Sequence, residues 1–168
     1  MGTLYGPVLA FTLITLLGAA VVGFFFFRTQ YRTLMAITPI NRLMAPGLVW
    51  LQYIPVFAII WQFVVIIQIA RSLRNERIFR MEESLLSNRT TPQLPSGNYP
   101  TMALGLSYCI LALGFTFFNL FGTFSPNPDV TSSLVVLAIV AAAGICWIVY
   151  WIRLANIRAE LSRTAAVS

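Results

Sequence analysis

The chain has 168 residues, of which 58% are hydrophobic and only 10% are charged. Soluble globular domains carry roughly 25% charged residues, so this composition is typical of a membrane protein and excludes a soluble domain of useful size. All eleven basic residues are Arg, and the net charge is +6. These Arg residues cluster beside apolar stretches, which predicts membrane orientation and no binding of nucleic acid.

The absent residue types exclude several kinds of chemistry. The chain contains no His and no Lys, which excludes His-based metal sites, imidazole-ligated haem and Schiff-base lysines. The five acids lie away from the middles of the apolar runs, where proton or ion relays need ionisable groups. We therefore expect no enzyme activity, no metal site and no dedicated cofactor. Bound lipid is expected, and contact with a pigment or a quinone stays open.

Four apolar segments predict an all-α polytopic membrane protein with four transmembrane helices in a single domain over residues 1–168. The segments cover residues 4–27, 48–70, 102–124 and 134–152. At about 1.5 Å per residue the first spans roughly 36 Å, more than a hydrocarbon core near 30 Å. We expect it to be retained, because no positively charged side chain precedes it as in a signal peptide.

Pro55 interrupts the second segment. A proline removes a helical hydrogen bond, so it either kinks one crossing helix or divides the segment into a re-entrant hairpin at Ile54 and Pro55. Four crossings put eight Arg in the cytoplasm and three outside, whereas the hairpin puts all eleven inside. The long apolar run favours four crossings, while the Arg distribution favours the hairpin.

Residues 71–87 predict a short amphipathic helix at the cytoplasmic face. The alternative is that the preceding transmembrane helix continues into water. Residues 88–100 form a polar, Pro-containing connector. The Arg residues that follow the second and fourth segments place the C-terminus in the cytoplasm. Those expected to contact lipid headgroups or a partner are Arg71, Arg74, Arg77, Arg80, Arg153 and Arg158.

Small and aromatic side chains mark candidate packing surfaces. Small residues four apart let helices approach closely, either within the chain or in an oligomer. Four consecutive Phe residues place rings on every side of one helical turn, so some of them face lipid or another chain. The candidates are Ala19, Gly23, Phe24, Phe25, Phe26 and Phe27 in the first segment and Ala138, Ala142 and Cys146 in the fourth.

The polar side chains near the apolar runs are better explained by contacts between helices than by a pathway for a transported solute. Gln62 and Gln68 are six positions apart and point in different directions, so no continuous polar pathway is indicated. Trp147, Tyr150 and Trp151 precede Arg153 and predict an aromatic belt at the cytoplasmic interface.

The stretch NRLMAPGLVWLQYIPVFAIIWQFVVIIQIARSLRNE, residues 41–76, resembles a segment found in small, uncharacterised bacterial multi-span membrane proteins. The matching positions are Pro46, Gly47, Trp50, Ile54, Pro55, Phe57, Trp61 and residues 70–76. The resemblance covers about a fifth of the chain and implies a protein of the bacterial inner membrane. It implies no activity.

The leading functional hypothesis is a non-enzymatic accessory or scaffold subunit of a membrane complex or homo-oligomer. It rests on apolar helix surfaces combined with absent catalytic chemistry. One alternative is a small transporter or channel-like protein for a neutral or lipid-like solute, acting through Gln62 and Gln68. Another is a pigment- or quinone-contacting subunit of an electron-transfer complex.

Overall fold

The computed structural model describes residues 5–86, 101–122 and 130–165, and every regular element in them is helical. The four α-helices are α1 (Tyr5–Ala36), α2 (Pro55–Leu86), α3 (Met102–Gly122) and α4 (Val130–Ala165). Two 3₁₀ helices, Pro39–Asn41 and Pro46–Tyr53, lie between α1 and α2. The predicted all-α class is confirmed for the described chain. The predicted connector at 88–100 lies outside the described residues.

Three of the helices are long and apolar enough to cross a membrane. The qualifying stretches are Leu9–Ala36 in α1, Phe57–Leu86 in α2 and Leu134–Arg163 in α4. In α3, a shorter apolar stretch covers Met102–Phe118. Length and composition of the described helices therefore support the prediction of a membrane protein.

The helices extend well beyond the apolar runs that predicted them. α1 continues from Phe27 to Ala36, and α4 continues from Ile152 to Ala165. The added residues are mostly Arg, Leu, Ala, Glu and Gln, which are good helix formers. Residues 71–86 likewise belong to α2 rather than to a separate amphipathic helix. Hydropathy thus locates the lipid-facing part of each helix but not its end.

The predicted segment 48–70 is divided between two elements. The 3₁₀ helix ends at Tyr53, Ile54 has an extended backbone (φ −82°, ψ 108°), and α2 begins at Pro55. The proline ring disfavours the α conformation of the residue before it. At the first position of a helix, proline costs no hydrogen bond, because an N–H group there would have no acceptor within the helix. Both effects place the break at the same peptide bond.

Residues 37–54, here the connecting segment, run back along α2. At its start, Thr38 donates hydrogen bonds to Glu76. Ten residues later, the Leu48 carbonyl accepts a hydrogen bond of 2.8 Å from the Trp61 indole. Residues later in the connecting segment therefore contact residues earlier in α2, so the two elements run antiparallel.

The connecting segment also runs back along α1. Arg42 donates to the carbonyl of Met35, and farther along the Tyr53 ring packs on Phe27 with centroids 5.0 Å apart. Because it is antiparallel to both helices, α1 and α2 run in the same direction.

α3 and α4 complete the bundle. Gly105 of α3 lies against Ile66 of α2 and Tyr150 of α4. Along α1 and α4, Phe26 packs on Trp147 (5.4 Å between centroids), and Thr29 accepts a hydrogen bond from the Trp151 indole. Residues later in α1 therefore contact residues later in α4, so the two helices run parallel. The C-terminal halves of α1, α2 and α4 lie at one end of the bundle, called here the Arg-rich half. The described Arg residues at this end are Arg28, Arg32, Arg42, Arg71, Arg74, Arg77, Arg80, Arg153, Arg158 and Arg163.

Buried side chains concentrate in the Arg-rich half and at its border. The buried apolar residues include Leu34, Ile37, Leu73, Leu154, Ile157 and Leu161. The other end of the bundle, which includes residues 9–22 of α1, is called here the apolar half. By contrast with the Arg-rich half, all of these α1 residues are exposed. The packed core therefore lies at the charged end of the protein.

Candidate functional site

Glu76 fastens the connecting segment to α2. Its carboxylate is 1% exposed and accepts hydrogen bonds from the Thr38 backbone N–H (3.0 Å) and hydroxyl (3.0 Å). It also accepts from Asn41 Nδ2 (2.8 Å) and Arg80 Nε (2.8 Å). Charge-assisted hydrogen bonds are about twice as strong as neutral ones, so this carboxylate is the principal polar anchor of the Arg-rich half.

Three further hydrogen bonds fix the same segment. The Ser72 hydroxyl, one turn before Glu76, accepts a hydrogen bond of 3.0 Å from Leu43 N–H. Arg42 donates from Nε to the Ile37 carbonyl (2.8 Å) and from Nη2 to the Met35 carbonyl (2.9 Å). Carbonyls at a helix C-terminus lack intrahelical donors, so Arg42 caps α1.

Deeper in the bundle, two buried amides link α1 to the connecting segment. Gln52 Nε2 donates to Gln30 Oε1 (2.8 Å) and to the Val49 carbonyl (3.1 Å). The Val49 carbonyl can only accept, so it identifies the nitrogen of the Gln52 amide. Gln52 is 5% exposed, and its Oε1 has no hydrogen-bond partner among the described residues. This oxygen is a buried acceptor without a donor among the described residues.

Gln52 also borders a cavity of about 410 Å³ at the start of α2. The polar residues in its lining are Gln52, Gln62 and Tyr108. The described residues that line it include no charged side chain. The other lining residues are Ala19, Val22, Gly23, Phe26, Phe27, Ala58, Ala143, Gly144 and Trp147. The cavity can hold an uncharged molecule with a few polar atoms.

Aromatic rings pack where the cavity meets the Arg-rich half. Phe26 is 2% exposed, and its ring centroid lies 6.1 Å from that of Tyr150 and 5.8 Å from that of Trp151. Of the three residues of the predicted aromatic belt, Tyr150 is fully buried within the chain, whereas Trp147 and Trp151 are half-buried. Trp151 donates to Thr29 Oγ1 (2.9 Å) and thereby ties α4 to α1.

The predicted packing residues separate into different environments. Phe24 and Phe25 are exposed, Phe26 is buried and Phe27 is half-buried. Ala19 and Gly23 line the cavity instead of a tight helix contact. In α4, Ala138 is exposed, whereas Ala142 and Cys146 are half-buried.

One close approach between helices involves a glycine that the sequence analysis missed. A Cβ atom on Gly105 would lie 2.5 Å from Ile66 Cγ2 and 3.1 Å from Tyr150 Cε2. Gly105 stands four residues from both Thr101 and Cys109, a small-residue spacing that the sequence analysis did not select.

The six Arg residues predicted to contact lipid headgroups or a partner differ in their exposure. Arg80 pairs with Glu76, Arg77 and Arg158 are half-buried, and Arg71, Arg74 and Arg153 are exposed. The spacing of Glu76 and Arg80 on one helix is evident in the sequence. Thr38 and Asn41 are 38 and 35 positions from Glu76, so only the fold brings them to it.

The described residues contain no group of three His, Cys, Asp or Glu side chains that could hold a metal ion. Cys109 and Cys146 are free thiols, the first buried and the second half-buried. No protein-family model matches the chain, and neither a curated protein nor a solved structure does.

Proposed function

We propose that this protein lies in a bacterial inner membrane with its Arg-rich half, and so its C-terminus, in the cytoplasm. The Arg distribution supports this orientation, since cytoplasmic flanks of membrane proteins are enriched in Lys and Arg. The parallel course of α1 and α2 favours the re-entrant alternative over four crossings. In it, α1, α3 and α4 cross, while the connecting segment enters from the cytoplasmic side and turns at Pro55 into α2.

Reporter fusions test this topology. Alkaline phosphatase is active outside the inner membrane, and green fluorescent protein is fluorescent inside it, so each is fused to either end of the chain. The re-entrant arrangement requires the two ends on opposite sides, with the C-terminus inside. Two ends on the cytoplasmic side would instead support four crossings.

Within that membrane, we propose that the protein acts as a non-enzymatic accessory or scaffold subunit of a complex or homo-oligomer. The carrying observation is the exposure of the α1 side chains over residues 9–22. Phe11 is 73% exposed and Leu17 is 68% exposed, and every residue of this stretch is exposed. A partner helix would supply the contacts that this half of α1 lacks.

The physical reason concerns how helices associate in lipid. Lipid tails are as apolar as Leu, so helices associate through side-chain packing and hydrogen bonds rather than through the hydrophobic effect. The Arg-rich half already contains such contacts. The exposed Phe, Leu and Ile side chains of α1 offer packing surface only to lipid or to another chain.

Affinity purification in a mild detergent, followed by native mass determination, tests this function. We expect a defined oligomer or a stoichiometric partner. Phe11→Ala combined with Ile14→Ala should weaken that assembly, whereas the matched exposed change Leu137→Ala in α4 should not. A strictly monomeric particle without a partner would overturn the proposal.

Two other functions use the cavity. A transporter for a neutral or lipid-like solute needs an exit on the cytoplasmic side, but Phe26, Ile66 and Tyr150 are packed there. This packing favours binding over passage. A pigment- or quinone-contacting subunit is supported by the rings of Phe27 and Trp147 in the cavity wall, and the absorption spectrum of the purified complex tests it.

A further inference from the structure

We propose that one face of α1 binds an anionic phospholipid, whose phosphate lies against Arg28 and Arg32 and whose acyl chain lies along the apolar residues before them. These apolar residues are Leu17, Val21 and Phe24, and the five residues together are called here the Arg28 stripe. The inference rests on the proposed membrane location. It goes beyond assembly, because it assigns a ligand to a single copy of the chain.

The residues of the Arg28 stripe lie on one side of α1. From Leu17 to Arg32 their spacings are four, three, four and four positions, and residues spaced in this way share one face of an α-helix. All five side chains are exposed. An exposed apolar surface therefore continues directly into two cationic groups, in the order of the acyl chain and the phosphate of one lipid.

The length of the stripe fits one leaflet of a bilayer. A helix rises about 1.5 Å per residue, so Arg28 lies roughly 16.5 Å along the axis from Leu17. Half of a hydrocarbon core near 30 Å is about 15 Å thick. An acyl chain that begins at the level of Arg28 would thus extend to the level of Leu17. A free phosphate would contact only the two Arg residues, so the continuous apolar surface favours the lipid.

Aromatic rings indicate that Arg28 lies at the level of lipid headgroups. The Trp50 ring packs on Phe24, one turn before Arg28, and on Tyr31, about one turn after it, with centroids 5.5 and 6.3 Å apart. Tyr53 stacks on the same indole, with centroids 5.9 Å apart. Trp and Tyr are enriched at membrane–water interfaces, where the headgroups lie. Arg28 is therefore positioned to meet a phosphate from the adjacent leaflet.

The two Arg residues of the stripe are available to an anion. Elsewhere in the Arg-rich half, Arg42 caps α1 and Arg80 pairs with Glu76. By contrast, no described residue forms a hydrogen bond or an ion pair with Arg28 or Arg32. Like charges four positions apart on a helix repel each other, and a bound phosphate would relieve this repulsion. The guanidinium fork is also the side chain best suited to phosphate oxygens.

Photo-crosslinking of the full chain in phosphatidylcholine vesicles tests the site. Two probes carry one diazirine at the same place in an identical acyl chain and differ only in the head, which is phosphatidylglycerol or phosphatidylcholine. We expect the phosphatidylglycerol probe to label residues 17–24 about fivefold more strongly, the preference that one Arg near an anionic surface supplies. Unlabelled phosphatidylglycerol should compete for this labelling.

Variants with matched charge decide whether the Arg28 stripe is responsible. Arg28→Gln combined with Arg32→Gln should abolish the preference. Arg158→Gln combined with Arg163→Gln removes the same net charge from α4, outside the stripe, and should leave the preference unchanged. The comparison of the two probes on the parent chain decides the question even if a variant does not fold.

Equal labelling of residues 17–24 by the two probes would identify ordinary surrounding lipid and overturn the proposal. Equal losses in the two double variants would attribute the preference to net charge and overturn the site. Labelling of this stretch by neither probe would mean that α1 does not lie in lipid, which would contradict the proposed membrane location as well. Native mass measured on the same samples reports assembly independently, so failure of the lipid site is distinguishable from failure of the scaffold function.

Discussion

The two halves of this bundle are held together differently. In the Arg-rich half, Glu76, Ser72 and Arg42 fasten the connecting segment to its helices through hydrogen bonds, and apolar side chains are buried between them. In the apolar half, residues 9–22 of α1 are all exposed. High hydropathy therefore marks where lipid can lie, while polar partners mark where the chain packs.

Removing the anchor should have the largest effect on this contrast. Glu76→Ala removes the acceptor of four hydrogen bonds and leaves Arg80, 15% exposed, without its carboxylate. Breaking a buried charged pair in this way costs about 3–5 kcal/mol. The free energy of unfolding, measured by circular dichroism in mixed micelles, should fall by that amount.

Glu82→Ala is the matched control, since Glu82 lies on the same helix and is exposed. Its unfolding free energy should stay within about 0.5 kcal/mol of the parent. If both variants lost the same stability, the assignment of Glu76 as the anchor would be wrong.

The helix crossing should be the next most sensitive position. Gly105→Ala places a methyl group against Ile66 and Tyr150, and overpacking of this kind costs about 1–3 kcal/mol. Gly144→Ala should be neutral because its Cβ would meet open space. Thermal unfolding in detergent gives both values.

A double variant tests the cause of the Gly105 effect. Ile66→Ala removes the atoms that would approach the new methyl group most closely, so adding it to Gly105→Ala should cost less than the sum of the two single changes. Strict additivity would show that the two positions do not interact.

Neighbouring phenylalanines provide a third comparison inside one helical turn. Phe26 is buried against the rings of Trp147, Tyr150 and Trp151, whereas Phe25 is exposed. Phe26→Leu should cost about 1–2 kcal/mol, less than the about 3–5 kcal/mol of a full truncation to Ala in a soluble core. Phe25→Leu should cost almost nothing. Equal losses in thermal unfolding would contradict the different burial of the two rings.

Much of the architecture follows from the sequence, and the reasons are local. Long apolar runs predict the helices, and the restriction that Pro55 imposes on Ile54 predicts the break between them. Helix ends are less predictable. Good helix formers such as Leu34 and Ala36 continue α1 past the last Phe without any change that hydropathy would detect.

The cavity and the anchor were harder to anticipate, because their parts come from distant positions. Gln62 was recognised as a polar residue in an apolar run, but Gln30 lies beyond the predicted first segment and was missed. For Glu76, the sequence indicates only that it can pair with Arg80, four residues later on the same helix. The connecting segment brings Thr38 and Gln52 to these side chains, and its reversed course depends on tertiary contacts alone.

The smallest effect should come from the bare stretch of α1, and one leucine pair tests it directly. Leu17→Ala removes a side chain that is 68% exposed, so the isolated chain should keep its unfolding free energy to within about 0.5 kcal/mol. Leu154→Ala makes the same change at a fully buried position in the Arg-rich half, where a cavity costs about 2–5 kcal/mol. Both values come from unfolding of the monomer in mixed micelles. A loss at Leu17 comparable with that at Leu154 would mean that the apolar half is packed within one chain, which would remove the reason for expecting a partner helix there.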